Sequence, residues 1–119
     1  MSILIVSAAI KTQLAKPGKG GALLIEIFVV NTKGKAVTDL TKENFSIRIV
    51  YNSARPGHPE PAYFPEVEEI EDESGLYTMS VFPKTGGKTE FWDEGEYLFR
   101  ITAKDSKSNG HTLLSVNIV

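Results

Sequence analysis

The densest group of side chains able to do chemistry is a run of carboxylates between residues 66 and 73. Six of these eight residues are Asp or Glu, and because the net charge of the whole chain is −2, the remainder carries a surplus of four positive charges. Such a run could ligate Ca²⁺, which takes about six to eight oxygen atoms. It lacks the Asp-x-Asp-x-Asp-Gly order of a calcium loop, and along a strand its side chains would point to both faces. We therefore expect a solvated edge strand whose charges oppose aggregation, with a docking surface for a basic partner and a calcium site as the alternatives.

Acid–base or metal chemistry would have to involve His58 or His111, because the chain has no cysteine. Both histidines lie in polar, turn-rich segments, and a metal-dependent hydrolase would require one of them to meet carboxylates of the acidic run. That enzyme is the least favoured of the functions considered. No Gly-x-Ser-x-Gly elbow is present to anchor a serine triad. The sequence therefore predicts no catalytic residue, no metal and no cofactor.

A second unusual segment is the proline-rich stretch from Asn52 to Pro65. Its four prolines keep it extended and out of the middle of a sheet, and long loops of this kind in small domains are often functional. A stiff loop can present side chains to a partner with little loss of entropy. Its aromatic rings could anchor a protein or stack on sugars, whereas Phe64 and Trp92 could instead cap the core. The candidate partner-binding residues are Arg55, His58, Tyr63, Phe64 and Trp92.

The elements that must position these residues are predicted to be strands. From Tyr97 onward, apolar residues recur at every second position, which is typical of a strand with one face in a core. Further strands are predicted over residues 3–10, 22–30, 45–51, 76–82 and 112–119, of which the first two begin as continuous apolar runs. Together with the acidic run, this gives seven to eight antiparallel strands, the number expected of a β-sandwich of two sheets. A chain of 119 residues forms one such domain, spanning residues 1–119.

The strand predicted over residues 22–30 is apolar on both faces apart from Glu26. A strand of this kind should be central and covered on both sides, or it should lie in a dimer contact. The C-terminal strand, which ends at Val119, could also pair across a two-fold axis. We therefore consider a homodimer formed through edge strands.

Short motifs in the chain resemble those of bacterial immunoglobulin-like (Ig-like) modules found in adhesins and surface proteins. They are Gly34-x-x-Val37-x-x-Leu40-x-x-x-Asn44-Phe45, Gly75-Leu76-Tyr77 and Gly95-Glu96-Tyr97. The run Asp93-x-Gly95-x-Tyr97 also resembles a tyrosine corner, in which the Tyr hydroxyl bonds back to the nearby backbone. The resemblance implies an Ig-like sandwich that acts as a spacer, adhesion or docking unit, and it brings no catalytic residues to this chain.

Composition and hydropathy argue against other classes of protein. The net charge of −2 disfavours nucleic acid binding, which needs a clustered basic surface. No stretch is long enough for a membrane span, and the opening apolar run has no basic residue before it, as a signal peptide would have. We expect an intracellular protein unless the chain is a domain of a longer secreted or surface protein.

The function predicted from the sequence is a non-catalytic protein-interaction or structural module. It would bind a protein partner through the proline-rich loop and the nearby aromatic residues. A carbohydrate-binding module that uses the same aromatic rings is the alternative.

Overall fold

The structure, a computed structural model, describes residues 2–18, 20–53, 60–61, 64, 66–71, 74–82 and 92–119. The predicted all-β class is confirmed, because the described residues contain no α-helix and only one short 3₁₀ turn, Lys42–Asn44. The strands are β1 (Ser2–Gln13), β2 (Leu23–Asn31), β3 (Phe45–Asn52), β4 (Glu60–Pro61), β5 (Val67–Glu69), β6 (Leu76–Val81), β7 (Gly95–Lys104) and β8 (Ser108–Ile118). No helix in the described part of the chain is long and apolar enough to cross a membrane.

The strands form one curled, mixed sheet in the order β4-β3-β7-β8-β1-β2-β6-β5, whereas two antiparallel sheets were predicted. The sheet is continuous because β1 has two partners. Ser2 and Ile3 pair in parallel with the start of β8, and from Leu4 onward β1 pairs antiparallel with β2. We refer to β4-β3-β7-β8 as the first half-sheet and to β1-β2-β6-β5 as the second half-sheet.

The core consists of inward-facing residues from both half-sheets. Alternation along β2, β6 and β7 buries every second side chain, as the period of a strand requires. Phe45 of the first half-sheet meets Tyr77 of the second edge to face, with ring centroids 5.2 Å apart. Such aromatic pairs add to the hydrophobic stabilisation of burial.

The turn between β7 and β8 is shorter than the predicted polar turn from Lys104 to Gly110. The Asp105 carboxylate accepts hydrogen bonds from the backbone N–H groups of Lys107 and Ser108, at 2.8 and 2.6 Å. This side chain closes the turn within a few residues. Residues 108–110 therefore belong to β8.

Strand β2 is central, as predicted, because it pairs with β1 on one side and β6 on the other. Only its inner face is fully buried. Leu23, Ile25, Ile27 and Val29 are buried, whereas Phe28 on the outer face is 41% exposed. The apolar outer face of β2, on which Leu24 and Val30 are half-buried, is therefore only partly covered within the described part of the chain.

The edges of the curled sheet are β4 and β5, which have two and three residues. Short edge strands limit pairing with another chain. The strands considered for a homodimer, β2 and β8, lie inside the sheet, since β8 pairs with β7 along ten residues and with β1 at its start. Both edges of β2 are already paired, so the homodimer contact considered above cannot form through an edge of this strand.

Candidate interaction site

Three of the five residues predicted to bind a partner, Arg55, His58 and Tyr63, lie outside the described residues. The other two, Phe64 and Trp92, are described and are far apart. Trp92 contacts Tyr97 at the start of β7, and Phe64 lies by Lys42, just before β3. Because β3 and β7 are antiparallel and pair Phe45 with Ala103, these two places lie at opposite ends of the β3–β7 pair.

Trp92 belongs to the core, in agreement with the prediction that this ring could cap the core. Its side chain is 1% exposed, and its ring meets Tyr97 and Phe99 edge to face. The indole N–H donates to the carbonyl oxygen of Gly21, at the start of the chain segment that enters β2. A ring held in this way cannot stack on a sugar or fill a pocket of a partner without local opening of the core.

Phe64 is half-buried and packs against the core. The ammonium group of Lys42 lies 5.9 Å from the centroid of its ring, within the range of a cation–π interaction. These contacts support a capping role for Phe64 at the edge of the core.

Tyr97 forms the predicted tyrosine corner. Its hydroxyl accepts a hydrogen bond from the backbone N–H of Asp93 at 2.8 Å. Tyr77 on β6 is placed in a similar way, because its hydroxyl donates to the carbonyl of Val37 at 2.7 Å and accepts from the N–H of Leu40 at 3.2 Å. Each tyrosine follows a glycine of positive φ by two residues, Gly95 at +129° and Gly75 at +71°. The two Gly-x-Tyr motifs of the sequence therefore lie at the starts of β6 and β7, and in each the tyrosine hydroxyl bonds to backbone groups of a preceding segment.

The acidic run contains an edge strand, as predicted, because β5 is the terminal strand next to β6. Glu66, Glu68 and Glu71 are exposed. Glu69 differs, since its two carboxylate oxygens accept the backbone N–H groups of Asp39 at 3.2 Å and Gly75 at 3.0 Å. This carboxylate is a structural ligand for two backbone amides.

The described residues offer little for acid–base or metal chemistry. His111 is exposed on β8, and within the described ranges no group of three or more His, Asp or Glu side chains is placed to hold a metal ion. Tyr77 has a raised pKa because it is buried, with the Leu40 N–H bond acting in the opposite direction. Its hydroxyl is engaged by two backbone groups and faces no open site.

A continuous apolar surface covers one end of the outer face of the second half-sheet. Directly opposed residues of antiparallel strands share a face, and Phe28 lies opposite both Ser7 of β1 and Leu76 of β6. The row that contains Phe28 and Leu76 is extended by Ile70, which donates its N–H to the Leu76 carbonyl. The neighbouring row contains Val30, which lies between Ile5 and Ala36. We call this surface the apolar patch; its members are Ile5, Phe28, Val30, Ala36, Ile70 and Leu76.

The apolar patch is bordered by two carboxylates. Glu26 and Glu68 lie on either side of Thr78 in the adjacent row of the sheet, and we call this pair the acidic row. Lys11 Nζ lies 4.0 Å from the Glu26 carboxylate, and both side chains are partly exposed, so the pair contributes little to stability. The signal for this surface in the sequence was the two-sided apolar character of residues 22–30.

The outer face of the first half-sheet carries two arginines, and Glu96 is exposed on the same face of β7. Arg48 of β3 lies directly opposite Arg100 of β7, and both are exposed. Leu113 of β8 continues the row and is 56% exposed. A register shift in β3 places Tyr51 opposite Leu98 in the next row. We call this surface the arginine face; it consists of Arg48, Tyr51, Leu98, Arg100 and Leu113.

The pairing of Arg48 with Arg100 is electrostatically unfavourable, because like charges directly opposite each other on a sheet repel. In the part of the chain that the structure describes, the single ion pair within 4.0 Å is that of Lys11 and Glu26. Neither guanidinium is therefore neutralised by a described carboxylate. No pattern of residue types indicates this pairing, since it depends on the register of β3 against β7.

Comparison of the chain with protein-family models, with curated proteins and with solved structures found no match.

Proposed function

We propose that the chain is a non-catalytic Ig-like β-sandwich module that acts by binding protein. The strand order supports the Ig-like assignment. If β1 to β8 are lettered A, B, C, C′, D, E, F and G, the second half-sheet reads A-B-E-D and the first reads C′-C-F-G. These are the strand orders of Ig domains, and Tyr97 at the start of strand F occupies the place of their tyrosine corner.

The observation that carries the binding function is the apolar patch. Phe28, Ile70 and Ile5 are 41%, 40% and 52% exposed, and they lie in two adjacent rows that cross the half-sheet. Monomeric proteins seldom leave a contiguous apolar surface of this kind open, and such surfaces mark sites of protein contact. A suitable partner has an apolar centre to cover the patch and basic groups to meet Glu26 and Glu68.

The proline-rich loop remains a proposed second contact, through Arg55, His58 and Tyr63. The carbohydrate-binding alternative would need exposed rings aligned on one surface. Phe28 and Tyr51 are the exposed aromatic side chains of the described part of the chain, and they lie on the outer faces of different half-sheets. Protein binding is therefore the function that the geometry favours.

The test is site-specific photo-crosslinking in the native host. A benzophenone amino acid replaces Phe28 in one variant and the exposed turn residue Lys33 in a matched control. We expect an adduct with a second protein chain at position 28 and not at position 33. The adducted protein, once purified, should bind the wild-type chain and should bind Phe28→Asp at least about tenfold more weakly, as expected for an aromatic anchor. Absence of adducts at position 28, and at Ile5 and Ile70 in variants labelled in the same way, would contradict the proposal.

A thermal-shift panel of calcium and polysaccharide fragments tests the other functions. Ligand at about 100 times its dissociation constant should add roughly 2.7 kcal/mol of stability, which shifts Tm by several degrees. We expect no shift. A shift with one class of sugar would favour the carbohydrate-binding module, and a shift with calcium would favour a cation site in the acidic run.

A further inference from the structure

We propose that Asn109, at the start of β8, is a site of spontaneous deamidation, and that its isoaspartyl product separates β8 from β1. Asn109 and Gly110 form the one Asn-Gly pair in the chain. Asn109 pairs in parallel with Ile3, in the two-residue ladder that joins the half-sheets. The modification would therefore act on the link that makes the sheet continuous. This inference is independent of the proposed binding function.

The reaction at Asn109 needs no reagent other than water, and asparagine is among the thermolabile residues. The backbone nitrogen of Gly110 attacks the side-chain amide carbon of Asn109 and gives up its proton, and the bond from that carbon to the amide nitrogen breaks, so that ammonia leaves. Water then opens the resulting cyclic imide at one of its two carbonyl carbons. Opening at the side-chain carbonyl gives Asp. Opening at the backbone carbonyl gives isoaspartate, in which the main chain runs through the side chain and is longer by one methylene group.

The surroundings of Asn109 favour this reaction. Its side chain is exposed, and its amide has no hydrogen-bond partner in the described part of the chain. The next residue, Gly110, has no side chain to shield its nitrogen. A larger residue at position 110 would slow the reaction, but its Cβ would overlap the carbonyl oxygen of Leu4 on β1. The close contact between β1 and β8 therefore requires the reactive pair.

The ladder between β7 and β8 controls the rate. The N–H of Asp105 donates to the Ser108 carbonyl at 2.9 Å, and hydrogen-bonded pairs alternate along an antiparallel ladder, so Ala103 and Gly110 form the next such pair. The nitrogen of Gly110 is engaged while this pair is closed. Attack on Asn109 therefore requires the first residues of β8 to open, which costs least free energy at a strand end.

The two products differ in their effect on the fold. Lys104 lies directly opposite Asn109 on β7 and is exposed, so a carboxylate at position 109 on a normal backbone would form a favourable cross-strand pair. Isoaspartate instead adds a backbone atom at this position, and the ladders on the two sides of β8 cannot both keep their register. The ladder with β1 has two residue pairs, whereas the ladder with β7 has ten, so the pairing with Ile3 is the one lost.

The experiment is incubation of the folded chain at mildly alkaline pH, followed by peptide mass spectrometry of samples taken over time. Isoaspartate is distinguished from Asp by methylation with isoaspartyl methyltransferase. Asn117 is the internal control, because it is exposed on the same face of β8 but precedes Ile118, whose buried, β-branched side chain shields the backbone nitrogen. We expect Asn109 to deamidate severalfold faster than Asn117. Equal rates at the two positions would overturn the modification site.

A turn variant tests the control of the rate by opening. Asp105→Ala removes the carboxylate that accepts the N–H groups of Lys107 and Ser108, so β8 should open more often at its start and Asn109 should deamidate about tenfold faster. Glu96→Ala is the matched control, because it removes an exposed carboxylate at the other end of β7, and it should leave the rate unchanged. Circular dichroism melts establish that both variants fold. The same rate in Asp105→Ala as in wild type would overturn the gating by the ladder.

The separation of β8 from β1 is measured on the purified isoaspartyl fraction. This fraction should melt several degrees below the unmodified chain, and its amides at residues 2–4 and 108–110 should exchange faster. Asn109→Asp, which reproduces the other product, should melt at or above wild type because of Lys104. An isoaspartyl fraction that melts like wild type and keeps its protection at residues 2–4 would overturn the proposed separation.

Discussion

The hydroxyl of Tyr77 donates a hydrogen bond to the backbone carbonyl oxygen of Val37 over 2.7 Å. It also accepts one from the N–H of Leu40, so a side chain of β6 holds the connection between β2 and β3 at two points. Glu69 on β5 holds the same connection through the N–H of Asp39. The connection that precedes β3 is therefore fixed by the second half-sheet, on which the apolar patch lies.

Replacing Tyr77 by Phe should destabilise the protein by about 1–3 kcal/mol, because two backbone groups lose their partner in a buried place. Urea unfolding measures this change. The matched control is Tyr51→Phe, in which the hydroxyl lost is that of an exposed side chain, and it should change stability by less than about 0.5 kcal/mol. Equal losses in the two variants would show that the bonds to Val37 and Leu40 do not contribute.

Tyr77 should also make stability depend on alkaline pH. Burial raises its pKa, so above the ordinary tyrosine value, near 10, the folded protein keeps a proton that the unfolded chain has lost. The contribution of Tyr77 is therefore fully present below that value, and it is lost as pH rises through the folded-state pKa. Urea unfolding from about pH 9 to pH 11.5 should show the stability difference between wild type and Tyr77→Phe shrinking. Parallel curves for the two proteins would contradict this assignment.

Gly75 should not tolerate a side chain. It has a φ of +71°, and an added Cβ would lie 2.8 Å from the Cβ of Ala36 and 2.9 Å from the carbonyl oxygen of Val29. Gly75→Ala should therefore cost about 2–4 kcal/mol, from backbone strain and the clash together. Gly34 has a similar φ of +79° with nothing within 4 Å of an added Cβ, so Gly34→Ala should cost only about 1 kcal/mol. Thermal melts of both variants separate strain from clash, and equal losses would exclude the clash.

Much of the strand architecture could be predicted from the sequence, because alternation and turn residues are local signals. The tyrosine corner was predictable for the same reason, since Tyr97 and its partner Asp93 are four residues apart. The bond from Tyr77 to Val37 spans forty residues. Its acceptor is a backbone carbonyl, which every residue type has, so the sequence does not identify the partner. The link between the half-sheets was also hidden, because it depends on β1 changing partner after Ile3.

The candidate surfaces were predicted only in part. The sequence indicated that β2 is apolar on two faces, and the partly exposed outer face is where the apolar patch lies. For Trp92 both a core and an exposed position were considered, because an aromatic residue next to a turn can face either the core or solvent. Its position follows from contacts with Gly21, Tyr97 and Phe99. The arginine pair needs the register of β3 and β7, which is set by tertiary pairing.

The acidic run should contain one carboxylate that stabilises the fold among several that do not. Glu69 accepts two backbone N–H groups, and one of them belongs to Asp39, a non-glycine residue held at a φ of +62°. Glu69→Gln replaces one accepting oxygen with an amide that cannot accept, and it removes the charge, so we expect a loss of about 1–2 kcal/mol.

The neighbouring Glu68→Gln is the matched control, because Glu68 is exposed on the same strand and the change in composition is identical. It should change stability by less than about 0.5 kcal/mol. Urea unfolding gives both values, and hydrogen exchange at the Asp39 and Gly75 amides should be faster in Glu69→Gln alone. If both variants behave like wild type, the run is a solvated edge throughout and the Glu69 contacts are not stabilising.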